Sequence, residues 1–247
     1  MSPCPPTSRN PSTDVNLWGR SIECGVLEDP WIEPPEEIFT LTKSAAAAPE
    51  IPAYLELAFE AGVPVAVNGV VMPLTELIRS VGTIAGAHGV GRIDVVENRL
   101  VGIKSREIYE APAAVALHAA HRELEGLVVT RDLHRLKREL AVRYADLVYN
   151  GLWFTPTREA IDAFVASVQT HVTGTVRLKL FKGSLLVVGR TSPCALYEHA
   201  LATYDAGDQF DHTAAEGFIK IWGLPVEIAA RRSAHAGQVV ERTGAQV

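Results

Sequence analysis

The chain has 247 residues, 47% hydrophobic and 21% charged, enough for one or two compact domains to bury most of their apolar surface. A net charge of -6, with Lys and Arg spread rather than massed, argues against nucleic acid as the main partner, because phosphate neutralisation needs a basic face. The cysteines Cys4, Cys24 and Cys194 are odd in number and far apart, which suggests neither a disulfide framework nor a zinc cluster and fits a reducing, cytoplasmic setting.

No apolar run approaches the roughly 18 residues of a membrane span, and residues 1–11, rich in Pro and Ser, lack the apolar core of a signal peptide. They are expected to form a flexible tail outside any domain. Residues 29–35 and 44–52 read as surface loops. Between residues 54 and 60, Leu55, Leu57 and Phe59 alternate with more polar neighbours, the two-residue period of a half-buried strand. Gly62 turns the chain into Val63, Val65 and Val67, and Asn68-Gly69 predicts a type I′ hairpin leading to Val70 and Val71. From Leu74, the apolar positions Leu77, Ile78, Val81 and Ile84 follow helical spacing until Gly86, Gly89 and Gly91 stop the helix.

Residues 93–103 read as two short strands joined by a tight turn at Glu97-Asn98-Arg99. Three helices are expected next. The first spans about residues 111–127. The second is capped by Thr130 and carries Leu133, Leu136, Leu140, Tyr144 and Leu147 on one face. The third is capped by Thr155 with Pro156 at its first position, and turns Ile161, Phe164, Val165 and Val168 inward. Lys182-Gly183 predicts a second hairpin, between residues 175–181 and 185–189, and a last helical segment is expected near residues 225–233. Strands, helices, strands and helix in that order point to an α+β fold of antiparallel strands with packed helices, not to a doubly wound parallel sheet.

The densest polar stretch is His88 to Arg99 followed by Lys104 to Glu110, where charges of both signs sit among glycines and strand-forming aliphatics. That composition suits a rigid site for a zwitterionic ligand; edge-strand salt bridges around a turn are the plainer alternative. Gly86, Gly89 and Gly91 follow a helix and precede a strand, the reverse of a phosphate-binding loop. His118 and His121 lie three apart on an expected helix and read as helix-surface histidines, with no third metal ligand nearby.

Several blocks resemble one family. NLWGRSIECG at residues 16–25 with LEDP at 27–30, HGVGRIDVVENRLVGIKSREIYEAPA at 88–113, ADLVYNGLWF at 145–154, GRTSPCALY at 189–197 and EGFI at 216–219 are similar to the argininosuccinate synthase family, over roughly residues 12–233. The resemblance implies a ligase of arginine biosynthesis, which joins L-citrulline to L-aspartate with ATP and releases AMP and pyrophosphate. It implies a synthetase domain over residues 12–216 and an oligomerisation segment with a tail over 217–247, in a homotetramer.

By motif, the family's citrulline-binding positions fall on Ser12, Ser21, Glu97 and Tyr109. Their chemistry is sensible for that ligand: an anion such as Glu97 suits an ammonium group, and the hydroxyls suit carboxylate and urea oxygens. The family binds ATP and Mg through an SGG-x-DTS loop in an N-terminal nucleotide domain, and neither string occurs in this chain. The resemblance therefore implies the citrulline side of the enzyme, with a nucleotide domain supplied in trans. A non-catalytic fragment that binds citrulline or associates with full-length relatives is the alternative.

Overall fold

The computed structural model describes residues 11–203, 207 and 209–244, with side chains as far as residue 234. The expected flexible tail thus lies, but for Pro11, outside the described residues. In chain order the strands are β1 (Ser12–Val15), β2 (Arg20–Glu23), β3 (Ala53–Glu60), β4 (Val63–Val67), β5 (Val70–Val71), β6 (Arg92–Asn98), β7 (Lys104–Glu110), β8 (Gly174–Phe181) and β9 (Ser184–Thr191). The α-helices are α1 (Leu74–Ala87), α2 (Pro112–Val128), α3 (Arg131–Tyr149), α4 (Pro156–Gln169), α5 (His199–Ala202) and α6 (His212–Gly244). Contacts divide the chain into two units, residues 1–196 and 197–247.

The first unit is α+β with two antiparallel sheets, one ordered β1-β2-β7-β6 and the other β5-β4-β3-β8-β9. The alternation in β3 does what its period implies. Leu55, Leu57 and Phe59 are buried, and β3 pairs with β8 from Ala53↔Leu180 to Phe59↔Gly174. Both short hairpins form on left-handed turn residues, with φ of +49° and +78° at Asn68 and Gly69 and of +47° and +85° at Lys182 and Gly183, the geometry that matches strand twist.

Helices α1 and α2 close the core over this larger sheet, burying Leu77, Ile78, Val81, Leu117 and Leu124 against Leu57, Val176 and Leu178. Removing such a buried leucine costs about 2–5 kcal/mol. The entry to α2 is tight. Gly91, at φ +116°, passes so close to Pro112 that an added Cβ would lie 2.4 Å from its Cα, while Pro112 itself occupies the start of the helix, where its missing N–H costs nothing.

Four sequence expectations are corrected. The stretch from Leu100 to Ile103 is not a strand but part of the turn, and the second strand of that hairpin is β7, which begins at Lys104. Glu97 consequently sits within β6, paired with Ser105, and not at the turn centre. Alternating charged residues in KSREIYE conceal a strand because one of its faces is polar for a reason given below. The last helix starts at His212 and carries Pro225 inside it, since good helix formers on either side outweigh the local loss of one hydrogen bond. Finally, α3 buries no residue fully, and Leu133 and Leu136 of its expected apolar face remain exposed.

Candidate functional site

The smaller sheet brings together the four positions singled out in the sequence. Strand pairing sets Ser12 opposite Glu23, Ser21 opposite both Asp14 and Tyr109, and Glu97 opposite Ser105. Side chains alternate between faces along a strand and match across a pair. Ser12, Ser21, Glu97 and Tyr109 therefore occupy one face of the sheet, although residues 21 and 97 lie far apart in the chain.

The same parity adds residues that the motif reading passed over. Glu23 on β2 and Ser105 and Glu107 on β7 share this face. Counting back by two from Tyr109 reaches Glu107 and then Ser105, and counting forward by two from Ser21 reaches Glu23. The signal was present once β7 is read as a strand. A cavity of about 320 Å³ opens at this end of the hairpin, lined by Glu23 and Ser105 but also by Val96, Lys104 and Arg106 of the opposite face and by Glu28 and Pro30.

The opposite face of the sheet is its anchor. Ile22 and Ile108 pack with Leu27, Ile38 and Phe39, and Glu110, with no solvent exposure, pairs with Arg20 at 2.9 Å. Glu110 also accepts from the backbone N–H groups of Thr40, Leu41 and Thr42 and from the Thr42 hydroxyl, at 2.8–3.0 Å. Burial works against its charge, but these donors hold the carboxyl below its ordinary range. One carboxylate thus ties β7, β2 and the segment 40–42 together. Beside it, Arg92 spans Glu36 with two bonds of 2.6–2.8 Å, and Arg106 spans Asp94 with bonds of 2.6 and 2.9 Å while also donating to the carbonyls of Asp29 and Ile32.

On the site face, the Tyr109 hydroxyl donates to Glu97 Oε2 at 3.2 Å. The cross-strand partner of Tyr109 is Ile93, four residues before Glu97, so its side chain leans along the strands to make this bond. Burial, followed by the Glu97 charge, raises the phenol above its ordinary range, which keeps it a donor. Nearby, the Tyr149 hydroxyl donates to the Asn98 carbonyl at 2.9 Å and ties the end of α3 to the end of β6. The salt-bridge alternative for Glu97 is not what forms: Arg106 is committed to Asp94, and Arg99 stands 3.6 Å from Glu23.

Carboxyl groups dominate this face. Glu107 is only 4% exposed, and burial, then Glu23 and Glu97, push its carboxyl up to about 7 against a smaller opposing effect of Arg99. The arrangement can accept a cation at one end, where the Tyr109 O–H is committed to Glu97, while the Ser12 and Ser21 hydroxyls can meet oxygens along the strands, chemistry suited to recognition rather than to proton transfer to a substrate.

The other sequence candidates have structural roles. An added Cβ at Gly86 would lie 2.1 Å from the Leu41 carbonyl oxygen, and one at Gly89 would lie 2.8 Å from that of Lys43. This backbone is packed against the protein itself and leaves no cradle for a nucleotide phosphate. His121 is bonded to Gln169 at 2.8 Å, and Gln169 donates to the buried Glu125, which pairs with Lys137. His118 stands edge-on to Trp18 at 5.7 Å, and its pKa is lowered, chiefly by burial. His121 is thus half-buried, whereas His118 is exposed on the helix surface, as expected. Among the described residues, no helix is long and apolar enough to cross a membrane.

The family model for the arginosuccinate synthase C-terminal domain matches residues 11–229. Proteins named argininosuccinate synthase from Symbiobacterium thermophilum, Dehalococcoides mccartyi (strain 195) and Brevibacillus brevis are 59%, 58% and 57% identical over 229–230 residues. Those alignments cover 92–93% of this chain but 55–57% of each relative. The chain spans little more than half the length of the curated relatives it matches.

Proposed function

Because this chain belongs to the argininosuccinate synthase family, through its C-terminal domain, we propose that it supplies the citrulline-holding side of an ATP-dependent ligase that joins L-citrulline to L-aspartate. The single observation behind this reading is the shared face: Ser12, Ser21, Glu97 and Tyr109 stand on one side of one sheet, with the Tyr109 hydroxyl already on Glu97. In this reading the Glu97 carboxylate receives the α-ammonium of citrulline. Tyr109 keeps that carboxylate in place, and the two serine hydroxyls meet the carboxylate and urea oxygens. Positioning of this kind makes an activated urea carbon available to an amine in fixed geometry, a substantial part of the barrier in such ligations.

ATP and its Mg ion, together with L-aspartate, are assigned to the nucleotide-binding part of the family, outside the region matched here. The four residues bind and orient citrulline and move no proton to or from it. Arginine biosynthesis in the cytoplasm is the setting that follows.

The reading also includes self-association into a homotetramer through α6. Phe218, Ile221, Trp222 and Ile228 of that helix are all more than half exposed, and an apolar row on a helix is stable in water only when something covers it. The test of the whole proposal is reconstitution. Mixed with the nucleotide-binding portion of a relative, the chain should turn citrulline, aspartate and ATP into argininosuccinate. Assembly of the two parts without product would reduce the chain to a non-catalytic binder.

A further inference from the structure

Glu107 has no part in the four-residue reading, yet it is the most deeply buried acid on the face that carries those residues, at 4% exposure. The pairing of β2 with β7 runs Arg20↔Glu110, Ser21↔Tyr109 and Ile22↔Ile108. Its next step sets Glu23 beside Glu107. Two carboxyl groups facing each other across a strand pair repel when both are charged, and burial sharpens the conflict.

The surroundings relieve it only in part, through Arg99. From β2 the facing group is Glu23; from β6, Val95 stands directly opposite and Glu97 is the acid one same-face step along; and Tyr109 lies next to it on its own face of β7. From the turn between β6 and β7 comes Arg99, which stands 3.6 Å from Glu23 Oε2. On β1, Asp14 shares the face one strand further out. Meanwhile Glu23 Oε2 is a buried acceptor without a hydrogen bond, and the Ser105 hydroxyl, also buried and unpartnered, does not reach it. Burial and the neighbouring glutamates accordingly lift the Glu107 carboxyl to about 7.

We propose that Glu107 is a positioning residue of the citrulline site: it holds a proton that it donates to Glu23 when the site is free, and it releases that proton when a substrate ammonium group arrives. The inference rests on the citrulline reading above. The step is simple in its balance. The Glu107 O–H bond breaks, the proton passes to solvent, and the new cation replaces it as partner of the glutamates. An opposite charge within about 4–6 Å favours the ionised carboxyl by roughly ten- to a thousandfold, which is enough to move the titration below neutrality.

The sign follows from linkage. Below the carboxyl's value near 7, binding must displace a bound proton, so citrulline affinity weakens as pH falls, by up to about tenfold per pH unit. Above it the dependence vanishes. At pH 7 binding should release about half a proton.

The experiment is calorimetric titration of the full chain with L-citrulline at about pH 6, 7 and 8, in two buffers of different ionisation enthalpy, for wild type and Glu107→Gln. Glutamine can still donate to Glu23 but has no proton to release. The expected result is a wild-type affinity that rises with pH and then levels off, with proton release, beside a Glu107→Gln affinity that is flat and releases none. A wild-type affinity independent of pH overturns the inference while leaving the citrulline site standing. Proton release that persists in Glu107→Gln also overturns it, by moving the proton to another group. Absence of saturable citrulline binding at every pH removes the site and this inference with it. Should Glu107→Gln fail to fold in thermal melting, the wild-type profile alone decides.

Discussion

Tyr109 reaches diagonally across the strand pair to donate to Glu97 Oε2 at 3.2 Å, past its own cross-strand partner Ile93. The phenol fixes the carboxylate in one orientation before any ligand is present, and such preorganisation lowers the entropic cost of binding. Tyr109→Phe keeps the ring and deletes this bond. Citrulline affinity should fall about fivefold, corresponding to about 1 kcal/mol, with little change in the melting temperature. An unchanged affinity by titration would show that the phenol has no part in holding the ligand.

Glu110 should matter for stability and not for recognition. It is fully buried on the opposite face and joins Arg20, Thr42 and the backbone of segment 40–42. Glu110→Ala leaves Arg20 without its partner in a largely buried setting, and loss of one member of such a pair costs about 3–5 kcal/mol. Urea unfolding measures it. Because the folded carboxyl is held below its ordinary value of 4.5, its contribution is present above that value and is lost as pH falls through the lowered one. Acid unfolding should therefore begin below about pH 4.5 in the wild type and gain nothing from this source in the mutant.

The exposed apolar row of α6 predicts concentration-dependent assembly. Phe218 and Trp222 stack on each other at 5.5 Å and are 60% and 74% exposed. Replacing both with serine should reduce the sedimenting mass at micromolar concentration without altering the melting of the first unit. A wild-type chain that is already monomeric would refute the assembly role.

Much of the larger sheet could be read from the sequence, because its strands alternate cleanly and its hairpins carry Asn-Gly and Lys-Gly turns. The smaller sheet could not. Strand β7 alternates Ser105, Glu107 and Tyr109 with Arg106, Ile108 and Glu110, so both of its faces carry polar groups, the proposed citrulline site on one and the Glu110 anchor on the other, and the apolar period is erased. The pairing of β2 with β7 also leaves no local trace, since it joins residues more than eighty positions apart. Motif matching found Glu97 and Tyr109 without the geometry, and for that reason it placed Glu97 at a turn and overlooked Glu23 and Glu107, which parity alone reveals.

The central claim is that Glu97 receives the ammonium group of citrulline, and one substitution tests it directly. Glu97→Gln preserves shape and can still meet the Tyr109 hydroxyl, but it removes the charge. A charge-assisted hydrogen bond is worth about 1.5–3 kcal/mol, so citrulline affinity measured by titration calorimetry should drop roughly 10-fold to 150-fold, while thermal melting stays close to wild type. A well-folded Glu97→Gln chain that binds citrulline as tightly as wild type would contradict the account.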